Sequence, residues 1–453
     1  MSSGEGGSGS TAVDSSDAAA IAVVEEAIVD GDVAIRAGDL RVRPGTARSA
    51  LQSRDMRRLW LAMFGSNIGT WMQNVALGAF AYQLTHSASF VALVGFAQLG
   101  PVLILAPFAG LLADVVDRRK LLVLTNLEQL VFAGVLAVVA AADRPSRSLL
   151  IAVVVAIGIG NALSGPPLSS LLPNLVPRED LPGAISLQSV QMNLSRVIGP
   201  AIGGVLLPSM HASGVFMLTA STYLFAVWGA MSIAPVHQPD MAGGFGLRRL
   251  LGGFEVARRE PLIRTVLLTI ASISFFCLPF IGLMPALAAE NLGVDVTGLG
   301  YGLLYASFGL GAACGAIAVG SVLAGRPREP VIAVSLALFG VALTGFALLR
   351  QPAPAYPLVF VVGLFYFSAV TSLSTRLQES LDDAVRGRVM ALYMMGFGGT
   401  VPIGLLVGGQ IAETTSVTAV VLAGGGIALL LAVAVRPRRA SGSYVIGLVE
   451  KAD

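Results

Sequence analysis

Apolar runs of about twenty residues recur along the chain from Leu59 to Val435, and each is closed by a short polar or charged turn. A helix rises about 1.5 Å per residue, so a run of about 20 apolar residues crosses roughly 30 Å of hydrocarbon. The pattern predicts twelve such spans. Six are Leu59–Leu84, Phe90–Ala113, Leu121–Ala142, Leu149–Leu172, Ala184–Leu207 and Val215–Ala234. Six more are Thr265–Ala289, Tyr301–Ala324, Val331–Leu349, Leu358–Thr375, Met390–Ile411 and Val417–Val435. The polar stretch Pro235–Arg264 separates the two sets, and two near-equal blocks joined by one long loop suggest an internal repeat. The expected organisation is a tail over 1–50, a six-helix half over 51–234, a linker over 235–264, a second six-helix half over 265–436 and a tail over 437–453.

Composition narrows the class. Hydrophobic residues make up 55% of the 453 positions and charged residues only 12%, half the share of an ordinary soluble domain. The mean hydropathy is +0.78. That excludes a soluble enzyme or a nucleic-acid binder and predicts an all-α integral membrane protein. The Gly-, Ser- and Asp-rich tail reads as disordered and cytosolic, because it has too little apolar surface to fold. In the linker, Phe245, Leu247, Leu250, Leu251 and Phe254 alternate with Arg248, Arg249, Arg258 and Arg259, as in an amphipathic helix on an anionic membrane surface. With the N-terminus inside, 24 Arg and Lys fall on inner segments and only Arg144, Arg147 and Arg350 fall outside. By the positive-inside rule both termini are cytosolic. Cys277 and Cys314 lie singly in apolar runs, and the three histidines are scattered, so neither a disulfide framework nor a metal site is expected.

Between the second and third spans the chain reads Gly110-Leu-Leu-Ala-Asp114-Val-Val-Asp117-Arg118-Arg119-Lys120. This resembles the loop signature of the major facilitator superfamily, matching at Gly110, Leu112, Ala113, Asp114, Arg118 and Arg119. Val115 stands where a basic residue is usual, and Asp117 replaces a glycine, a turn position that Asp tolerates better than most residues. The fifth span carries Gly199-Pro200-Ala-Ile-Gly203-Gly204, similar to the Gly-Pro-x-x-Gly-Gly motif of exporters in that superfamily. The wording at 69–87 and 386–393 is similar to the enterobactin-exporter-like branch of bacterial efflux proteins. The resemblance implies two six-helix halves around a central cavity, with Gly110, Asp114, Arg118, Arg119, Asp382, Arg388, Gly199, Pro200, Gly203 and Gly204 forming the gating elements. In particular, Asp114 is expected near Arg388, and Arg118 near Asp382 or Asp383.

Polar groups inside hydrocarbon are costly unless they face protein or water. Ser66, Asn67, Thr70, Gln73 and Asn74 share one arc of the first span beside Trp71, and Ser368, Thr371, Ser372 and Thr375 recur at helical spacing in the tenth. With Asn161 and Ser164 in the fourth span, Phe275 and Phe276 in the seventh and Tyr366 in the tenth, they are the expected cargo-facing residues. Helix-to-helix hydrogen bonding is the alternative use for each. Glu128 and Arg196 lie about 10 Å and 18 Å into their spans, too deep to snorkel out with ease. Either they pair with each other, or Arg196 bonds to Gln188 and Gln191 one or two turns below it, or Glu128 carries a coupling proton that Arg196 tunes. No cofactor is expected, since no Gly-x-x-x-x-Gly-Lys-Ser/Thr loop is present for ATP coupling. The functional expectation is proton-coupled export of a small amphipathic compound by alternating access from the cell membrane. An importer of the same fold is the alternative, with a lipid-handling or sensor protein behind it. The expected partners are the cargo, protons and the lipid bilayer, with no nucleic acid.

Overall fold

The computed structural model describes residues 43–234 and 254–435. The readings of the 1–50 tail up to residue 42, the linker over 235–253 and the C-terminal tail fall outside the described residues. So do the side chains of Gly110, Asp114 and Asp383. Of the linker pattern, residues 254–259 are helical, and Arg259 pairs with Glu255 one turn away at 2.7 Å.

Among the described residues every long element is a helix. The first span forms Arg54–Thr85, the second Ala88–Val115, the third Arg118–Ala141 and the fourth Arg147–Leu175. The eighth is Leu299–Gly320, the ninth Arg328–Leu348, the tenth Ala355–Glu379 and the twelfth Val417–Ala434. Hydroxyls cap several starts: Ser53 accepts from Met56 N–H, Ser87 from Phe90 N–H, Ser146 from Leu149 N–H and Ser416 from Ala419 N–H. Asp117 is not left-handed. Its φ is −51°, and its carboxylate caps the third helix by accepting from Lys120 N–H at 2.9 Å. The residue that breaks the glycine pattern of the loop motif therefore starts the next helix.

Among the described residues ten helices are long and apolar enough to cross a membrane, against the twelve expected. Two features account for the difference. Arg54–Thr85 is 32 residues long but is not among the ten, because the polar arc that marks it lowers its hydropathy. The fifth and sixth spans run together as Leu181–Met231, turned by a single non-helical residue, His211, at φ 56°. The seventh span is not one helix. It runs as Pro261–Ser272, a π-helical turn Ile273–Cys277, short helices Pro279–Gly282 and Met284–Ala286, and a second π-helical turn Leu287–Asn291. Pro279 and Pro285 lack the N–H that an unbroken ladder needs. The eleventh is similarly divided into Asp383–Met394, a π-helical turn Met395–Gly399 and Thr400–Thr414.

The packing repeats itself. The second helix packs on the fourth as the eighth does on the tenth, and the third on the fourth as the ninth on the tenth. Between the two blocks the fifth helix meets the eighth, and the second meets the eleventh. Within the blocks, adding six to each number of one pairing gives the other; across them, exchanging the blocks turns the fifth–eighth pairing into the eleventh–second. The outside is built for lipid. On the third helix Leu124, Val131 and Val138, seven residues apart, are 62%, 51% and 67% exposed, while Thr125, Asn126 and Gln129 are buried. Polar groups turned inward and aliphatic ones outward invert the soluble pattern.

Candidate functional site

A cavity of about 250 Å³ lies where the first, second, seventh, eighth and eleventh helices converge, with Trp71, Asn74, Gln98, Pro279, Tyr305 and Leu405 in its wall. Apart from one amide pair the lining is largely apolar. Gln98 donates to Asn74 across it at 2.7 Å, and Tyr305 turns its hydroxyl away to the carbonyl of Ile281 at 2.7 Å. The broken stretches of the seventh and eleventh helices form one side, and their glycines let them cross closely. A Cβ on Gly404 would lie 2.9 Å from Phe275 Cα. At the Ser87 end of the bundle three polar contacts join the two blocks. Tyr82 donates to Glu290 at 3.2 Å, and Glu413 accepts from the Ser87 hydroxyl at 2.9 Å and the Ser89 N–H at 3.3 Å.

Of the expected cargo-facing residues only Trp71 and Asn74 reach this cavity. Asn67 donates to the carbonyl of Met63 on its own helix, Thr70 to that of Ser66, and the Thr70 and Tyr223 hydroxyls share a 2.8 Å bond. Ser368 donates to the carbonyls of Leu364 and Gly315, which ties the tenth helix to the eighth. The backbone carbonyl of Thr371 accepts from the Thr375 hydroxyl. Tyr366 is buried among Phe308, Phe339 and Phe367, and Asn161 accepts from Gln129 at 3.0 Å. Phe275 and Phe276 pack edge to face at 4.7 Å, with Phe276 45% exposed. Asn67, Thr70 and Ser368 thus donate their polar hydrogens to helix carbonyls rather than to the cavity. Gln98, Glu290 and Glu413 were missed. Gln98 carried a usable signal, a lone amide in an apolar run, which is the same cue that singled out the first-span arc.

The two deep charges do not meet. One carboxylate oxygen of Glu128 is buried without a hydrogen-bond partner, and it occupies the space that a side chain at Gly160 of the fourth helix would fill. Arg196 stacks its guanidinium over Phe367 at 4.5 Å and Trp71 at 5.4 Å. Among the described residues it forms no ion pair, and it has no hydrogen bond to Gln188 or Gln191.

The gating residues are placed as follows. Arg118 donates to the carbonyl of Ser170 at 3.2 Å, and Arg119 to the carbonyls of Ala230 and Met231. The Arg119 bonds lie at the end of the sixth helix, where unpaired carbonyls carry partial negative charge. Asp382 precedes the helix Asp383–Met394 that holds Arg388 and is exposed, and among the described residues no Arg118–Asp382 ion pair is formed; Asp383 lies outside the described side chains. Within the fifth-span motif the glycines differ. A Cβ on Gly199 would lie 2.8 Å from the Ile68 carbonyl, and one on Gly204 would lie 2.6 Å from Gly302 Cα of the eighth helix. One on Gly203 would sit at an ordinary 3.4 Å from Met72. The carbonyl of the buried Pro200 faces Gly302 in the same crossing.

Residues 46–440 match the family described as transmembrane secretion effector. The chain is 30% identical to the enterobactin exporter EntS of Shigella boydii, over 84% of its own length and 92% of that protein. It is 26% identical to the staphyloferrin A transporter of Staphylococcus aureus, over 75% of its length and 85% of that protein. In fold it is similar to the nucleoside transporter NupG, with a TM-score of 0.70 at 12% identity over 84% of the chain and 99% of NupG. Shared wording over nearly the whole bundle, a matching all-helical fold and a cavity between the paired blocks lead to one conclusion: this chain belongs to the transmembrane secretion effector family of the major facilitator superfamily, and it is a multi-pass membrane transporter, not an enzyme.

Proposed function

We propose that the protein exports a small amphipathic organic compound, of the siderophore or drug class, by alternating access coupled to proton influx. The observation that carries this reading is the cavity between the two blocks. It has an apolar wall, a single hydrogen-bonding amide pair, and polar contacts closing the Ser87 end. Such a wall suits an aromatic or aliphatic body with few hydrogen-bonding groups, and it offers too few polar partners for a sugar. Export is favoured by the similarity to the enterobactin exporters, whose identity is high enough to bear on direction. The likeness to NupG is one of fold alone.

On this reading the two blocks, 51–234 and 265–436, rock about the cavity. Both termini are cytosolic, and the Ser87 end is the external one. Asp114, Arg118, Arg119, Asp382 and Arg388 gate the cytosolic end, and Gly199, Pro200 and Gly204 set the closeness of the crossings that rocking must separate. Glu128 carries the proton. An unpartnered carboxylate oxygen inside the bundle is a group that gains from protonation and can pass the proton on as its surroundings change. A proton moving down 100 mV yields about 2.3 kcal/mol, enough for a gradient of roughly fifty-fold.

The test is accumulation of a panel of amphipathic compounds, a catecholate siderophore among them, in cells with and without the protein. Lower retention in expressing cells, erased by a protonophore, is the expected result. Higher accumulation in expressing cells would instead establish import, and a difference insensitive to the protonophore would remove proton coupling.

A further inference from the structure

Arg196 is the feature that the gating and coupling roles leave unexplained. It sits midway along the fifth helix, with Nη1 buried and without a hydrogen-bond partner. Among the described residues no carboxylate lies within ion-pair distance of it, and Glu128 is not its partner. Two aromatic rings lie against the guanidinium, Trp71 of the first helix and Phe367 of the tenth, with Tyr366 packed on Phe367 at 5.2 Å. Gly309 of the eighth helix leaves room for the backbone here, since a Cβ there would lie 2.6 Å from the Arg196 carbonyl.

A permanent cation withdrawn from water needs a counter-charge, and ring faces replace only part of the hydration it has lost. A purely structural arginine would be expected to fork onto a carboxylate or a set of carbonyls, as Arg118 and Arg119 do in this same molecule. Arg196 does not. Its neighbour Trp71 is also a wall of the cavity, two positions along the same polar arc from Gln73 and three from Asn74. Trp71 therefore borders both the unpaired guanidinium and the space where cargo would sit.

We infer that Arg196 recognises an oxyanion on the cargo, so that the molecule carried is an amphipathic aromatic or aliphatic anion bearing a carboxylate, sulfonate or phenolate. This rests on the export reading for the use of the site, but not for its chemistry. The planar fork of Nη1 and Nη2 would take the two oxygens of such a group, while Trp71, Phe367 and the apolar wall take the body. Because the three groups belong to the first, fifth and tenth helices, an anion bound there touches both blocks at once, which is where a transported molecule must be held.

The experiment uses the full chain in phosphatidylcholine nanodiscs and a matched pair of fluorescent probes, 8-anilinonaphthalene-1-sulfonate and the neutral N-phenyl-1-naphthylamine. Uptake by empty nanodiscs is subtracted. The wild-type chain is expected to bind the sulfonate saturably and at least ten-fold more tightly than the neutral probe. Arg196→Gln should weaken the sulfonate at least ten-fold and leave the neutral probe within about two-fold. Arg196→Lys, which keeps the charge and loses the fork, should fall between. Arg196→Met reads the same contrast if the glutamine variant does not fold. Equal loss of both probes, no loss of the sulfonate, or no saturable sulfonate binding by the wild-type chain would overturn the inference. Binding is read without a gradient, so this failure is separate from failure of the export reading, which the cell accumulation assay reports.

Discussion

Two adjacent glycines in the fifth helix should respond in opposite ways to the same methyl group. At Gly204 the added Cβ would lie 2.6 Å from Gly302 Cα and 3.1 Å from its nitrogen, both backbone atoms of the eighth helix. An ordinary carbon contact is about 3.5–4.0 Å, so Gly204→Ala asks two helices to part by about 1 Å. Backbone cannot rotate out of the way as a side chain can. Overpacking of this kind costs about 1–3 kcal/mol, and about 2 kcal/mol corresponds to roughly a thirty-fold shift in any equilibrium between separated and apposed helices. At Gly203 the Cβ would meet Met72 at 3.4–3.7 Å, so Gly203→Ala adds only contact and gains helix propensity of up to about 1 kcal/mol. The assay is a distance measurement between spin labels at His86→Cys and Thr415→Cys, in a chain with Cys277 and Cys314 replaced by Ala. Both labels sit at the Ser87 end, one in each block. Gly204→Ala should populate a longer distance and lower transport, while Gly203→Ala should leave the distribution unchanged and the protein equally or more heat-stable. A normal distribution and full transport in Gly204→Ala would show that the fifth and eighth helices do not part during the cycle.

Glu128→Gln should abolish uphill efflux while downhill exchange of cargo persists; uphill efflux at the wild-type rate would exclude this carboxylate as the proton carrier. Glu413→Gln removes the charge that accepts from Ser87 and Ser89. With the pair exposed, the loss should be about 1 kcal/mol, seen as roughly a five-fold gain of the longer spin-label distance at that end. An unaltered distribution would reduce the contact to a surface bond without gating weight. Asp114→Asn should nearly stop transport with membrane insertion intact, and normal transport by it would leave the motif as a charged anchor alone.

Hydrophobic run lengths determine this protein's class without any coordinates. About twenty apolar residues in lipid have one solution, a helix that satisfies its own backbone, so length and composition suffice. The loop and fifth-span motifs carried the family resemblance, and the family match bears it out.

Only the tertiary structure decided which polar group looks at the cavity. Asn67, Thr70 and Asn74 share one arc in the sequence, yet Asn67 and Thr70 close on their own helix and only Asn74 meets Gln98. Periodicity gives the face of a helix, but which neighbour covers that face depends on contacts between spans far apart in the chain. The same holds for Gly203 and Gly204, alike in the motif and separated by about 100° on the helix, so that a Cβ on one would meet Met72 at an ordinary 3.4 Å and a Cβ on the other would meet the Gly302 backbone at 2.6 Å. It holds for Arg196 as well. Its depth could be counted from the sequence, but its lack of a counter-ion is a property of three helices brought together, because pairing of charges depends on distance in space and not on position along the chain.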